Sequence, residues 1–457
     1  MSRKLKEPIG SESLPETVTS LSAAAHAHVD DHAISFHSHD YPLPSRLGRY
    51  RIEGEIARGG MGVILLAHDE LLRRDVAIKL LLNQYAENPS LQQRFVNEAL
   101  ITSRLQHPCI VPIYDHGHAD DERPYFAMKL VTGQSLGKIL TSPPDNQMDR
   151  SRLLKIFEQI CLTIAYAHRE GILHLDLKPA NIMVGEFGEV YVMDWGLART
   201  ALSLDEVGDA RQFVGSKPDL RLRDSLPSSG VHGTPAYMAP EQARGLTVCP
   251  RSDVFGLGAL LCEILTGRPP YRDEDFQRAY VDAIRAELDD ALRGLDACQS
   301  DDRLIQLAKR CLSPNPKDRP SNANFVANEI SDYLESALQQ AESDLYRFFD
   351  LSLDLFCIAS MDGYFRRVNS NFPRVLGYTE QQLVSRPFID FVHPDDVSET
   401  MLVMGNLLAG RPVVHFCNRY RHAEGFYITL EWTAKSIVEE NIIFAVARDI
   451  TARWSPV

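Results

Sequence analysis

The sequence predicts an α+β chain: a β-rich lobe, then a mainly helical lobe, then a smaller β-rich domain at the C-terminal end. Three observations predict it. Short β-like runs begin at Tyr50, helical texture takes over after Ser151, and β-like texture returns from Leu355. At roughly 100–200 residues per domain, 457 residues allow about two to four domains.

Residues 1–47 are rich in Ser, Glu, Asp, His and Ala without periodicity and read as a disordered tail. His26, His28, His32, His37 and His39 cluster there. Spare histidines on a tail explain them better than a metal site, which needs fixed geometry and supporting hydrogen bonds. β-like runs follow at 51–56, 63–68 and 76–82. A helix is predicted over 91–105 from Leu91, Phe95 and Ala99 at i+4 spacing. Further β-like runs lie at 110–117 and 125–131. Leu153, Ile156, Ile160 and Ile164 mark one face of a long helix ending near Gly171.

Ile330, Leu334, Ala337, Ala341, Leu345 and Phe348, at spacings of three and four, predict a connecting helix over 330–349. It reads equally as a short coiled-coil seam or as the last helix of one domain running into the next. Asp362-Gly363 between two β-like runs is a hairpin turn. Residues 415–437 read as two strands around 422–425, and 441–449 as a final strand.

The net charge of -14 argues against a general nucleic-acid or anionic-membrane surface. No apolar run reaches the ~18 residues of a membrane span. Arg3, Lys4 and Lys6 precede no apolar core, so a secretory signal is not expected. Eight scattered cysteines without a C-x-x-C pair read as reduced thiols in a soluble, cytoplasmic protein.

The chemistry lies in the first two lobes. Gly59, Gly60 and Gly62 separate two β-like runs, and glycine lets backbone approach phosphate oxygens. A dinucleotide-binding loop would open a helix instead. Lys79 ends Val76-Ala77-Ile78-Lys79, and Glu98 on the next helix is its candidate partner. The strongest signal is His174-Leu175-Asp176-Leu177-Lys178-Pro179-Ala180-Asn181, followed by Asp194-Trp195-Gly196. Phosphoryl transfer needs a carboxylate that orients the attacking hydroxyl and accepts its proton. It needs hard oxygen ligands for magnesium, as Asn and Asp provide, and a lysine to neutralise the moving phosphoryl group.

Residues 50–336 resemble the eukaryotic-type serine/threonine protein kinases, bacterial members in particular. Gly233-Thr234-Pro235-Ala236-Tyr237-Met238-Ala239-Pro240-Glu241, Asp253 and Arg319 extend the likeness. The resemblance implies a two-lobed kinase fold with ATP and Mg2+ as cofactors and protein serine or threonine as substrate. It implies Asp176 as catalytic base, Lys178 beside the phosphoryl group, Lys79 paired with Glu98 on ATP phosphates, and Asn181 and Asp194 on magnesium. Ile56, Ala57, Arg58, Gly59, Gly60, Met61, Gly62, Val63 and Ile64 would form the phosphate loop. Ala77, Met128 as gatekeeper, and the hinge from Lys129 to Val131 would complete the ATP site. Glu241–Arg319 would be a buried ion pair, and Asp253 would anchor the catalytic loop.

Three positions depart from the family pattern. Ala57 replaces the first loop glycine, which implies weaker ATP binding. Trp195 replaces a phenylalanine. Leu175 replaces an arginine that pairs with a phosphorylated activation loop, so phosphate-to-arginine docking is not expected to switch this chain on. Residues 200–232 look inserted and carry Ser203, Ser216, Ser225, Ser228 and Ser229. They read as a mobile loop, or as a self-phosphorylated lid or docking segment.

Residues 344–453 resemble PAS domains through Asp362-Gly363-Tyr364, Val368-Asn369, Leu376-Gly377-Tyr378-Thr379, Phe391-Val392-His393-Pro394-Asp395-Asp396 and Arg448-Asp449-Ile450-Thr451. That implies a five-stranded antiparallel sheet around a small cavity whose ligand is unknown from the sequence. A flavin-type cysteine motif is missing, Cys357 and Cys417 read as core or sheet-face residues, and His393 and His415 are poor haem ligands. A homodimer through the PAS domain and the connecting helix would bring two kinase domains together for trans-phosphorylation. The rivals are a PAS-linked pseudokinase scaffold and a small-molecule kinase.

Overall fold

Buried and open residues alternate along the first strands, so they pleat into a sheet with one covered face. The structure is a computed structural model that describes residues 43–141, 149–200, 233–272 and 275–451. Residues 1–42 with the histidine cluster, and 201–232 of the insert, lie outside the described residues.

Strands β1 (Arg46–Leu47), β2 (Tyr50–Arg58), β3 (Gly62–Asp69) and β4 (Arg74–Leu81) precede helix α1 (Pro89–Arg104). After it come β5 (Ile113–His118) and β6 (Pro124–Lys129). The six strands form one antiparallel sheet in the order β1-β2-β3-β4-β6-β5. The sheet begins earlier than the sequence predicts: Leu47, read as tail, is buried at 2% exposure. A two-residue strand carries no periodicity that could reveal it. Helix α1 starts where Asn88 accepts the Leu91 amide and Pro89 occupies the first turn.

The helical lobe is built by burial of whole faces. It opens with β7 (Gln134–Ser135), α2 (Leu136–Leu140) and α3 (Arg150–Arg169), then β8 (Ile172–Leu173), β9 (Ile182–Val184), β10 (Val190–Val192) and β11 (Arg199–Thr200). Helices α4 (Pro240–Ala243), α5 (Pro250–Thr266), α6 (Phe276–Arg285), α7 (Asp289–Ala297) and α8 (Asp302–Cys311) follow. Leu153, Ile156, Ile160 and Ile164 of α3 are buried, as their spacing predicts. Helix α5 is apolar almost all round and runs through the core. At Gly133 (φ 144°) the chain passes so close to β9 that a Cβ would run into the Val184 carbonyl oxygen.

The predicted connecting helix is α9 (Ala323–Leu351), longer at both ends than its periodicity indicated. The chain divides into two compact units between Leu334 and Glu335. Within the first unit, α9 buries Ala323, Val326, Ala327 and Ile330. Further along it, Leu338, Leu345 and Phe348 are exposed.

The second unit holds β12 (Leu355–Ser360), β13 (Phe365–Val368), α10 (Asn371–Leu376), α11 (Glu380–Val384), α12 (Val397–Leu408), β14 (Val413–Arg421), β15 (Tyr427–Ile437) and β16 (Ile442–Asp449). Its five strands are antiparallel in the order β13-β12-β16-β15-β14. Gly363 (φ 91°) makes the expected hairpin turn. Between sheet and α12 lies a cavity of about 60 Å³ lined mainly by apolar side chains, Cys357, Phe365, Leu407 and Trp432 among them. One polar chain crosses this core. Trp432 Nε1 donates to Asn418 Oδ1 at 2.8 Å, Asn418 Nδ2 to Thr400 Oγ1 at 3.1 Å, and Thr400 Oγ1 to the Asp396 carbonyl at 2.8 Å. His415, 80% exposed and bonded to Glu431, is not among the lining residues.

Candidate active site

Strand β4 and helix α1 supply the first pair. Lys79 Nζ donates to Glu98 Oε1 at 2.6 Å and Oε2 at 2.8 Å, and stands 3.8 Å from Asp194 Oδ1. Burial pulls the lysine pKa down, but the charges of Glu98 and Asp194 outweigh it and the net direction is upward. Glu98 is pushed up, chiefly by burial, with Lys79 opposing. For Asp194 burial raises the pKa, and the charges of Lys79, Lys178 and His174 bring the net below the ordinary carboxylate value.

The catalytic loop hangs from α5. The buried Asp253 carboxylate accepts the His174 amide at 2.9 Å and the Leu175 amide at 2.8 Å, and meets His168 Nε2 at 2.9 Å. Leu175 adopts φ 64°, and Gln242 Nε2 donates to its carbonyl at 2.7 Å. This hold presents the Asp176 carboxylate, which lies 2.9 Å from Lys178 Nζ and accepts from Asn181 Nδ2 at 3.1 Å and the Thr234 amide at 3.2 Å. Lys178 Nζ also donates to Thr234 Oγ1 at 2.7 Å. Glu241 and Arg319 form the expected buried pair, at 2.7 and 2.9 Å.

Asn181 spends its amide nitrogen on Asp176. Its side-chain oxygen and the Asp194 carboxylate are hard oxygen donors. That set fits magnesium, which takes one or two protein oxygens and completes its shell with phosphates and water. Among the described residues, no group of three or more His, Cys, Asp and Glu side chains is placed to hold a metal by itself. Trp195 is buried, lies 4.6 Å from the His174 ring and donates from Nε1 to the Val192 carbonyl, so the larger ring is accommodated with its N–H satisfied.

The predicted phosphate loop is the β2–β3 turn, closed by the Gly59 amide on the Gly62 carbonyl at 2.9 Å. A Cβ on Gly60 would meet nothing within 4 Å, whereas one on Gly62 would press at 3.0 Å on the Leu80 carbonyl. Only Gly62 is therefore demanded by packing; the open turn at Gly59 and Gly60 leaves room for a ligand. Ala57 pairs with Ile64, and Arg58 with Val63, between Ile56 and Met61 at the loop's shoulders. Met128 pairs with Ala77 and packs with it, Val131 and Met183 in one buried cluster. The sequence reading missed Lys129 Nζ on Tyr191 Oη, at 2.5 Å across 62 residues, and missed His168, Gln242 and Arg94. Lys129 and Tyr191 lie on strands and the other three are single polar residues in helical patterns, so only the fold selects them.

Comparison with known proteins agrees with this geometry. Residues 50–331 match the protein kinase domain family and residues 365–445 the PAS fold. The chain belongs to the protein kinase family and carries a PAS fold after its kinase domain. It is 32% identical over 314 residues to the serine/threonine-protein kinase PknD of Protochlamydia amoebophila, covering 64% of this chain and 30% of that protein. Against the PknD of Chlamydia muridarum it is 34% identical over 311 residues, 65% of this chain and 33% of that protein. The chain thus spans about a third of the length of these relatives. No helix among the described residues is long and apolar enough to cross a membrane.

Proposed function

We propose that this chain is a cytoplasmic serine/threonine protein kinase that transfers the ATP γ-phosphoryl group to protein hydroxyls under control of its PAS domain. The observation that carries the reading is the pair of groups Lys79–Glu98–Asp194 and Asp176–Lys178–Asn181, coupled by the charge of Lys178 acting on Asp194. The substrate oxygen attacks the γ-phosphorus, the bond to the β–γ bridging oxygen breaks, and ADP leaves. Asp176 accepts the hydroxyl proton, and Lys178 offsets charge on the moving group. Lys79, fixed by Glu98, holds ATP phosphates. Asn181 and Asp194 would hold magnesium, which would supply charge neutralisation at those phosphates. The adenine would lie by Met128 and the hinge to Val131. The same arrangement disfavours the pseudokinase reading, since each of its polar groups has a partner suited to catalysis.

Control would run through a homodimer of PAS domains and connecting helices. The exposed Leu338, Leu345 and Phe348 on α9 support it. The test is self-phosphorylation of the full chain with labelled ATP and Mg2+, beside Asp176→Asn. Label on the wild type alone is expected, with a loss of roughly 10²-fold or more in the variant. Equal labelling of both would refute the assignment. A chain ending near Ser336 that labels itself as fast at matched dilution would refute control by dimerisation.

A further inference from the structure

Arg94 belongs to none of the sequence motifs, yet it lies one helical turn before Glu98 on the same face of α1. Its Nε donates to the Gly196 carbonyl at 3.0 Å, across 102 residues of chain. Gly196 is the second residue after Asp194 and is crowded there. A Cβ on it would stand 3.1 Å from Asp194 Oδ1 and 3.1 Å from Glu98 Oε2. Its amide faces Asp194 Oδ1 at 3.4 Å. Helix α1 therefore touches this segment twice, through Glu98 on the Cα side and through Arg94 at the carbonyl.

Asp194 needs that support. It adopts φ 59°, a left-handed backbone that a side chain bearing a Cβ holds only when its surroundings fix it. On the upstream side, the Met193 amide donates to the Asn181 carbonyl at 2.7 Å and the Met193 carbonyl meets His174 Nε2 at 3.1 Å. Downstream, Arg94 Nε on the Gly196 carbonyl holds the chain past the strained residue, beside the buried Trp195 ring on the Val192 carbonyl. Leu175 meanwhile offers no cation to a phosphorylated activation segment.

We propose that Arg94 is a positioning residue that clamps the Asp194 segment to α1, so that one helix sets both the Lys79–Glu98 pair and the metal-binding carboxylate without a docked phosphate. The inference rests on the phosphoryl-transfer reading of the site. An arginine suits the task because its charge and planar geometry are constant.

The test compares the full-length wild type with Arg94→Met and Arg94→Lys. Nucleotide binding is titrated with a fluorescent ATP analogue, with and without Mg2+, beside turnover and thermal melting. In Arg94→Met, metal-free binding and melting should match the wild type. The Mg2+ concentration for half-maximal tightening should rise about fivefold or more, and turnover should fall roughly tenfold or more. Arg94→Lys, which can still donate to the carbonyl, should recover part of both. An unchanged magnesium response in Arg94→Met overturns the proposal. So does an Arg94→Lys variant no better than Arg94→Met when both melt lower, because that marks a merely structural role. A wild type that transfers no phosphate would count against the kinase reading alone; the magnesium response of binding still decides the clamp.

Discussion

The Leu175 amide donates to Asp253 Oδ1 at 2.8 Å, so a carboxylate buried in α5 sets the backbone of the residue before the proposed base. Burial drives the Asp253 pKa up. The hydrogen bond and charge of His168, the charge of His174 and the Leu175 amide outweigh it, and the net value falls below the ordinary carboxylate range. A depressed folded pKa stabilises above the unfolded value and is lost as pH falls through the folded one. Asp253→Asn should therefore melt below the wild type at neutral pH. The gap should close as pH drops below about 4. A gap that widens in acid would refute the assignment.

The leucine itself makes a second prediction. Alanine at Ser203, Ser216, Ser225, Ser228 or Ser229, one at a time, should leave turnover within roughly threefold of wild type, because no phosphate-to-arginine docking depends on them. Steady-state rates on a generic protein substrate check this. A collapse at one serine would show that a phosphate there does activate the chain.

Arg319 and Glu241 are buried to 0% and 6% side-chain exposure and bonded at two points. Arg319→Met strands the carboxylate, and should cost about 3–5 kcal/mol in the urea unfolding of the kinase domain. Pairing it with Glu241→Leu should recover part of that loss. A double variant worse than the sum of the singles would mean that packing, not charge, sets the cost.

In the PAS domain, Asn418 is the shared partner of Trp432 and Thr400. Asn418→Leu leaves the buried indole N–H without an acceptor and should cost about 1–3 kcal/mol of the second thermal transition. An unchanged transition would show that the indole finds another acceptor.

Much of this was legible because the chemistry is local in sequence. Asp176, Lys178 and Asn181 sit within six residues, and the backbone between them leaves few ways to arrange them. Val76 to Lys79 was legible as part of a short β-like apolar run, and the hairpin at Gly363 from turn chemistry. What stayed hidden depends on contacts between distant positions. Arg94 reads as a surface residue of an amphipathic helix until Gly196 is brought beside it. Asn418 and Thr400 are ordinary strand and helix residues until the sheet folds over α12. Leu47 lay in a segment whose composition signals disorder, and its place depends on pairing with Tyr50 and on packing in the sheet's buried cluster.

Gly133 carries a consequence for motion. Because its backbone lies against Val184, the segment leaving the hinge is pinned to the helical lobe at that point. A second tie lies where the Val192 amide donates to the Cys109 carbonyl at 2.8 Å, so bending of the proposed cleft is left to the short stretches beside these two points, residues 130–132 among them. With so little chain to bend, a small rotation there would move the predicted phosphate loop further than the floor of the site. Nucleotide exchange should thus respond to substitutions at 130–132, which lie outside the predicted phosphate loop at 56–64.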